Sequence, residues 1–203
     1  AIDATCSGLQ ILAGLARDKS TAELVNVTRS PMPQDAYKVV AMQSRGQIPL
    51  RLRQYWDRKK VKRVVMTIPY NAKPYSNRQY IRDALKEVKV EIDKDELTQT
   101  VTAVREAMHK VVPGPMAVMK WIESTVAELI KQGATQITWT TPSGFTVTQR
   151  LMKPDVEKLR LKLLGTVTKV HVAVGDSDEV DLMHHKNATA PNLIHSLDAS
   201  LLH

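Results

Sequence analysis

The sequence predicts an α+β fold that is mainly helical, with a small antiparallel hairpin or sheet near residues 135–174. Three observations carry that expectation. Apolar residues recur at three- and four-residue intervals through most of the chain before Lys131. The period then changes to two on either side of Pro142-Ser143-Gly144, which reads as a hairpin turn. Hydrophobic residues make up 43% of the 203 positions, enough for a packed core. No apolar run is long enough to cross a membrane.

The elements follow in chain order. Leu9, Ile11, Leu12 and Leu15 place a helix from Gly8 to about Ala16, and Thr28 to Asp35, with Pro31 and Pro33, is a turn-rich connection. A helix begins near Gln34 and weakens at Gly46 and Pro49. Another runs from about Asp57 to Ile68. Pro69 at its end, with Asn71 tolerant of a left-handed backbone, turns Tyr70 out of the helix. Ser76 to Val90 reads as a helix with Ser76 as its cap, and Glu91 to Glu96 as a solvated acidic joint. Leu97 to Val111 and Met116 to Lys131 read as two helices broken by Pro113-Gly114-Pro115. Gln136 to Thr141 and Phe145 to Leu151 flank the turn as a hairpin (136–151), and Leu161 to Val174 adds strand character. Asp176 to Asp181 reads as an acidic loop that lacks the glycine and terminal glutamate of a calcium loop. The last helix is expected to start near Pro191. There is no internal repeat and no low-complexity segment.

Charge narrows the classes of partner. The chain holds 29 Lys and Arg against 21 Asp and Glu, a net charge of +8, which points to a polyanion. The charge is concentrated: Arg45 to Arg63 contains eight basic residues and one acid, Asp57. Tyr55 and Trp56 lie among them, a pattern suited to phosphate backbones and base stacking, although Trp56 fits a core anchor better. A single cysteine, Cys6, excludes an intramolecular disulfide and fits a reducing compartment. No signal or transit segment is recognisable. His184 and His185 do not make a zinc motif, because the one cysteine is distant and no H-E-x-x-H is present.

The segment Arg58 to Asn71 carries the sharpest chemistry. Arg58, Lys62, Met66 and Tyr70 are four residues apart. Each step advances about 40° and rises about 6 Å, so on a helix they share one broad face roughly 18 Å long. Cations followed by a flexible apolar wall and a phenol suit a nucleoside triphosphate. A solvated basic helix with one buried edge would show the same spacing. Near the start, Asp3 follows an apolar residue and precedes small ones. An acid so placed suits Mg²⁺, which takes one or two carboxylates and fills its shell with phosphate oxygens and water. A helix cap is the alternative for Asp3.

Together, Ala1-Ile2-Asp3-Ala4-Thr5-Cys6-Ser7-Gly8-Leu9-Gln10 and Arg58 to Asn71 resemble motifs A and B of the single-subunit, phage-type RNA polymerases, which include the mitochondrial enzymes. Gln34-Asp35-Ala36-Tyr37-Lys38-Val39-Val40-Ala41 is similar to the segment between those motifs. Thr138-Trp139-Thr140-Thr141-Pro142-Ser143-Gly144-Phe145 resembles the family's W-x-T-P-x-G-F hairpin. Ala190-Pro191-Asn192-Leu193-Ile194-His195-Ser196-Leu197-Asp198 resembles its A-P-N-x-x-H-S-x-D helix. The matches occur in family order and cover nearly the whole chain.

The resemblance implies the fingers region and part of the palm of a right-hand polymerase. Residues 1–20 would be a palm fragment with motif A. Residues 21–180 would be the fingers, including the nucleotide-binding helix 57–70, and 181–203 a return helix towards the palm. The implied activity is Mg²⁺-dependent, DNA-templated ribonucleotidyl transfer, with template DNA, nascent RNA, NTPs and the remainder of the polymerase as partners. Asp3 would bind metal, assisted by the Ala4 carbonyl. Lys62 and Arg63 would hold the triphosphate, and Arg58 would reach the same phosphates. Met66 would line the base, while Tyr70 would test the sugar, directly or through His195. Tyr37 would stand behind that pocket.

Related family A DNA polymerases share the four-residue spacing and are the main alternative. They carry glutamate five residues after the metal-binding aspartate, where this chain has Gly8, and usually an aromatic where it has Met66. Both differences favour ribonucleotides. A basic nucleic-acid-binding module without catalytic ancestry is the third reading. One departure concerns Asn71, which stands where many members have glycine and affects the expected template-side geometry. The family's H-D-S motif, with the second metal aspartate, does not occur here, and Asp198 in His-Ser-Leu-Asp does not replace it. The segment is therefore expected to be inactive alone. Localisation would be host cytoplasm for a viral source, or mitochondrial matrix or plastid for an organellar one, and not secretion.

Overall fold

The computed structural model describes residues 6–163 and 166–202 of the chain. The helices are α1 (Ser7–Ala16), α2 (Lys19–Leu24), α3 (Ala36–Ser44), α4 (Arg58–Thr67), α5 (Pro74–Lys86), α6 (Lys94–Val111), α7 (Pro113–Lys131) and α8 (Leu182–Ser200). Short 3₁₀ turns cover Leu50–Tyr55 and Ile68–Tyr70. Among the described residues, four strands make two separate antiparallel ribbons, β1 (Ile137–Thr140) with β2 (Thr146–Gln149) and β3 (Met152–Leu163) with β4 (Thr166–Val180). The mainly helical α+β fold is as the periodicity predicts.

The main core gathers Leu9, Val40, Ile48, Leu52, Val61, Val64, Val65, Ile81, Leu85, Val101 and Val104, so α1 and α3 to α6 share one apolar interior. Trp56 belongs to it, and its indole N–H donates to Ser44 Oγ at 3.0 Å. That bond removes the penalty of burying a polar donor and makes Trp56 an anchor. A smaller cluster of Leu12, Met119 and Ile194 joins α1, α7 and α8, and Tyr70 packs against its edge.

Several helix ends differ from the sequence-based expectation. Ser76 does not cap α5, which starts at Pro74, because proline's missing N–H is no loss in the first turn. The acids of 91–96 are not merely a joint. Asp93 and Glu96 form a capping box that starts α6.

The break expected at Pro113-Gly114-Pro115 is present, but α7 starts at Pro113 and not at Met116, so these three residues form its first turn. The reason lies in Asp18, the cap of the unanticipated α2. Its carboxylate accepts from Thr21 N at 3.1 Å, Thr21 Oγ1 at 2.6 Å, Ser20 Oγ at 2.8 Å and Gly114 N at 3.1 Å. Partial burial raises its pKa, but the hydrogen bonds from Thr21, Ser20 and Gly114 outweigh this and hold it at about 2. A Cβ on Gly114 would come within 2.5 Å of that carboxylate, so only glycine permits the junction.

The ribbon β3–β4 is much longer than expected. It absorbs residues 176–180, which read as a loop, while Asp181 caps α8 through His184 N at 2.8 Å. Pairs Lys158↔His171 and Arg160↔Lys169 alternate with Leu159↔Val170 and Leu161↔Thr168. Alternation therefore separates a basic face from an apolar one.

α8 also begins earlier than Pro191, which lies inside it. Its first half is anchored by His185, whose Nε2 accepts from Leu151 N–H at 3.0 Å, while Leu151 O accepts from Asp181 N at 3.0 Å. Leu151 is the link between the two ribbons, so this clamp fixes where the long ribbon leaves. Gln149 Nε2 lies 3.1 Å from His185 Nδ1 and donates to Thr189 Oγ1 at 2.8 Å.

Two outcomes are expected. Gly114→Ala should destabilise the α2–α7 junction by about 1–3 kcal/mol, read as a lowered unfolding midpoint. The second concerns acid. Burial, reinforced by His184, pushes the His185 pKa below its ordinary 6.5. The unfolded segment then takes its proton first, so the clamp is at full strength above about pH 6.5 and weakens as pH falls below it. Hydrogen-exchange protection of the Leu151 amide, corrected for intrinsic rates, should drop between about pH 7 and 5. A pH-independent protection factor would contradict this account.

Candidate functional site

α4 is capped by Asp57, whose Oδ1 accepts from Lys59 N at 2.9 Å and Lys60 N at 3.2 Å. Val61, Val64 and Val65 bury one face. Lys60 is buried beside them, with its Nζ 3.6 Å from Asp57 Oδ1. That packing leaves Arg58, Lys62 and Met66 as an exposed row, the face expected from their spacing.

The row is bounded by aromatic contacts. At its N-terminal end, Arg58 Nε donates to Asp35 Oδ2 at 2.6 Å, and its guanidinium carbon lies 5.1 Å from the centre of the Tyr37 ring. Tyr37 is buried, and burial pushes its phenol pKa up, as does the neighbouring Cys6, with which it hydrogen-bonds. Burial likewise raises the Cys6 thiol. A cavity of about 280 Å³ opens here, lined by Cys6, Asp35, Tyr37 and Arg58 among others. Arg63 stands on the opposite flank, 4.3 Å over the Tyr80 ring of α5. Lys62 and Arg63 are thus neighbours in sequence that point to different sides of α4.

At the far end the helix tightens into the 3₁₀ turn Ile68–Tyr70, and Asn71 takes the left-handed conformation at φ 61°. Tyr70 consequently leaves the helix, half-buried. It stacks on His195 with ring centres 4.7 Å apart and planes 21° from parallel. Its hydroxyl is 3.3 Å from Ser7 Oγ, which donates to Asp198 Oδ2 at 3.4 Å. With the Ser7 proton directed to the carboxylate, the phenol is the donor to Ser7. Gly8 lies directly behind: a Cβ there would sit 3.0 Å from Pro69 Cβ and 3.2 Å from Tyr70 Cζ and Oη. Gly8, Tyr70 and His195, remote in sequence, are therefore one site.

Asp3 and Ala4 lie outside the described residues. Among the described residues no group of three His, Cys, Asp or Glu could hold a metal ion. Nor is any helix there long and apolar enough to cross a membrane. Spacing did not reveal Asp35, Ser7 or Asp198 as contacts of the site. Sequence reading places a helix start near Gln34; the structure caps that helix with Asp35, whose Oδ1 accepts from Lys38 N at 3.1 Å, and no local signal pairs Asp35 with Arg58.

The family model described as DNA-dependent RNA polymerase matches residues 1–203. Among similar curated proteins, the mitochondrial DNA-directed RNA polymerase of Homo sapiens is 32% identical over 98% of this chain and 17% of its own length. That of Mus musculus is 30% identical with the same coverage. DNA-directed RNA polymerase 1, mitochondrial, of Arabidopsis thaliana is 31% identical over 98% of this chain and 22% of its own. The chain spans about a fifth of the length of these relatives. The match along every residue, with the motif B row open to solvent and its tyrosine seated between Gly8 and His195, leads to one conclusion: the chain belongs to the DNA-dependent RNA polymerase family.

Proposed function

We propose that this chain forms the nucleotide-binding part of a DNA-directed RNA polymerase and acts in templated ribonucleotidyl transfer from NTPs. The observation that carries the proposal is the exposed row Arg58, Lys62 and Met66 leading to Tyr70 on its His195 stack. In the reaction the 3′-hydroxyl of the growing RNA attacks the α-phosphorus. A P–O bond forms, the α–β bridging bond breaks, pyrophosphate leaves and the hydroxyl proton passes to solvent. Arg58 and Lys62 bind the β- and γ-phosphates and stabilise the charge that develops on the departing pyrophosphate. Arg63 adds positive potential from its flank. Met66 supplies the apolar wall, and Tyr70 with His195 meets the sugar. Tyr37 backs Arg58.

Mg²⁺ fits the proposed ligands, since Asp3 and the Ala4 carbonyl are hard oxygen donors of the kind it takes. When bound, it supplies charge neutralisation and activation of the attacking hydroxyl. Domain roles follow the same reading, with 1–20 in the palm, 21–180 in the fingers and 181–203 returning to the palm. Template DNA and nascent RNA are the proposed macromolecular partners, supported by the +8 charge and the basic face of β3–β4. The names of the relatives, mitochondrial in each case cited, support an organellar address.

Run-off RNA synthesis with Mg²⁺ tests the proposal, comparing the 203-residue segment with a full-length polymerase containing it. RNA should come from the full-length enzyme alone, because the H-D-S motif to which the proposal assigns the second metal aspartate does not occur in these 203 residues. Asp3→Ala should abolish synthesis, and Lys62→Ala should lower kcat/KM by roughly 100-fold. Synthesis by the segment itself, or an active Asp3→Ala enzyme, would sink this assignment.

The sugar reading makes its own demand. Gly8→Ala places a methyl against Pro69 and Tyr70, so the turn and the ring on its stack must give by a few tenths of an ångström. The preference for NTP over dNTP should fall by roughly 10-fold, the equivalent of about 1.4 kcal/mol of overpacking strain. Unchanged sugar preference would show that Tyr70 does not read the 2′ position.

A further inference from the structure

Pro191 lies in the interior of α8, where it cannot donate to the carbonyl four residues earlier. That carbonyl belongs to Asn187. An unmade backbone bond on a half-buried helix face is unfavourable unless another donor supplies it. Asn71 does so: its Nδ2 donates to Asn187 O at 3.0 Å. The direction of the amide is fixed from the other side. Lys73 Nζ donates to Asn71 Oδ1 at 2.7 Å, and the same ammonium is 3.6 Å from Glu123 on α7. A chain of contacts thus runs from α7 through Lys73 and Asn71 to α8.

We infer that Asn71 is a positioning residue for sugar recognition, holding the α8 segment that carries His195 in register with Tyr70. The inference rests on the proposed sugar role of Tyr70 and His195. Asn71 adjoins Tyr70 in the chain, and Asn187 lies two helical turns before His195 on α8. One hydrogen bond therefore connects the two partners of the stack through their own backbones. Asparagine suits the position for a second reason. Its φ of 61° lies in the left-handed region, which asparagine tolerates better than other residues with side chains. Glycine would keep the turn without supplying the donor, and aspartate would set a carboxylate against the carbonyl.

The test uses a full-length polymerase containing this chain, with kcat and KM measured for an NTP and its dNTP. The variants are Asn71→Gly, Asn71→Asp, His195→Ala and the Asn71→Gly/His195→Ala double. Both Asn71 variants should lower NTP over dNTP selectivity about 5-fold, the loss expected for one hydrogen bond. The change should lie mainly in the relative KM values, and the double variant should be no worse than His195→Ala. Full selectivity in Asn71→Gly, alongside a defective His195→Ala enzyme, would overturn the inference while leaving the sugar reading intact. So would losses that multiply in the double variant. Full selectivity in His195→Ala would instead overturn the reading of the Tyr70–His195 pair, and this inference with it.

Discussion

The passage of α1 across the end of α4 constrains everything around it. Gly8 has no side chain, and the space a Cβ would need is taken by Pro69 and Tyr70. Only because the two segments approach so closely can Tyr70 sit half-buried with its ring on His195 and its hydroxyl on Ser7. The same approach lets Leu12 meet Met119 and Ile194, which joins α1, α7 and α8 beneath the tyrosine. A packed interior transmits displacement because its voids are small. A change at Gly8 is therefore felt by α8 as well as by the adjacent turn.

Much of this arrangement was legible in the sequence. The four-residue spacing of Arg58, Lys62, Met66 and Tyr70 identified an exposed face, since the valines between them had to be buried. Pro69 and Asn71 announced the turn that releases Tyr70. Trp56 as an anchor and the hairpin around Pro142 to Gly144 followed from equally local signals. What sequence reading missed depends on pairing across distance. Prolines usually mark boundaries, so Pro113 to Pro115 read as a break outside either helix and Pro191 as a start. Asp18 accepting from Gly114 turns the first into a helix entry, and Asn71 completes the carbonyl that the second leaves open. The acids of 176–180 looked like a loop because acids disfavour strands locally, yet pairing with β3 carries them into the ribbon.

The flanks of α4 decide which cations are available, and magnitudes make the distinction clear. Arg58 and Asp35 are 46% and 34% exposed, so their ion pair contributes at most about 1 kcal/mol to stability. The stack on Tyr37 adds about 0.5–1 kcal/mol. Neither is large on the scale of folding, but together they can bias a side chain among its rotamers. Asp35 engages Nε, which leaves the two terminal nitrogens of Arg58 without a partner among the described residues. A guanidinium held by its edge and face, with its terminal fork unpaired, is suited to bind a phosphate in a defined orientation.

Lys62 differs in kind. It is exposed, and no described residue forms an ion pair with it. A compact ammonium on a flexible stem can follow the phosphates as the α–β bond breaks, which a planar fork restrained by Asp35 and Tyr37 cannot do as freely. Arg63, stacked on Tyr80, is turned to the other side. The order of the row suits the proposed reading: a restrained cation to orient a triphosphate, a free one to follow developing charge, and Tyr70 for the sugar at the end where Gly8 leaves room for its ring.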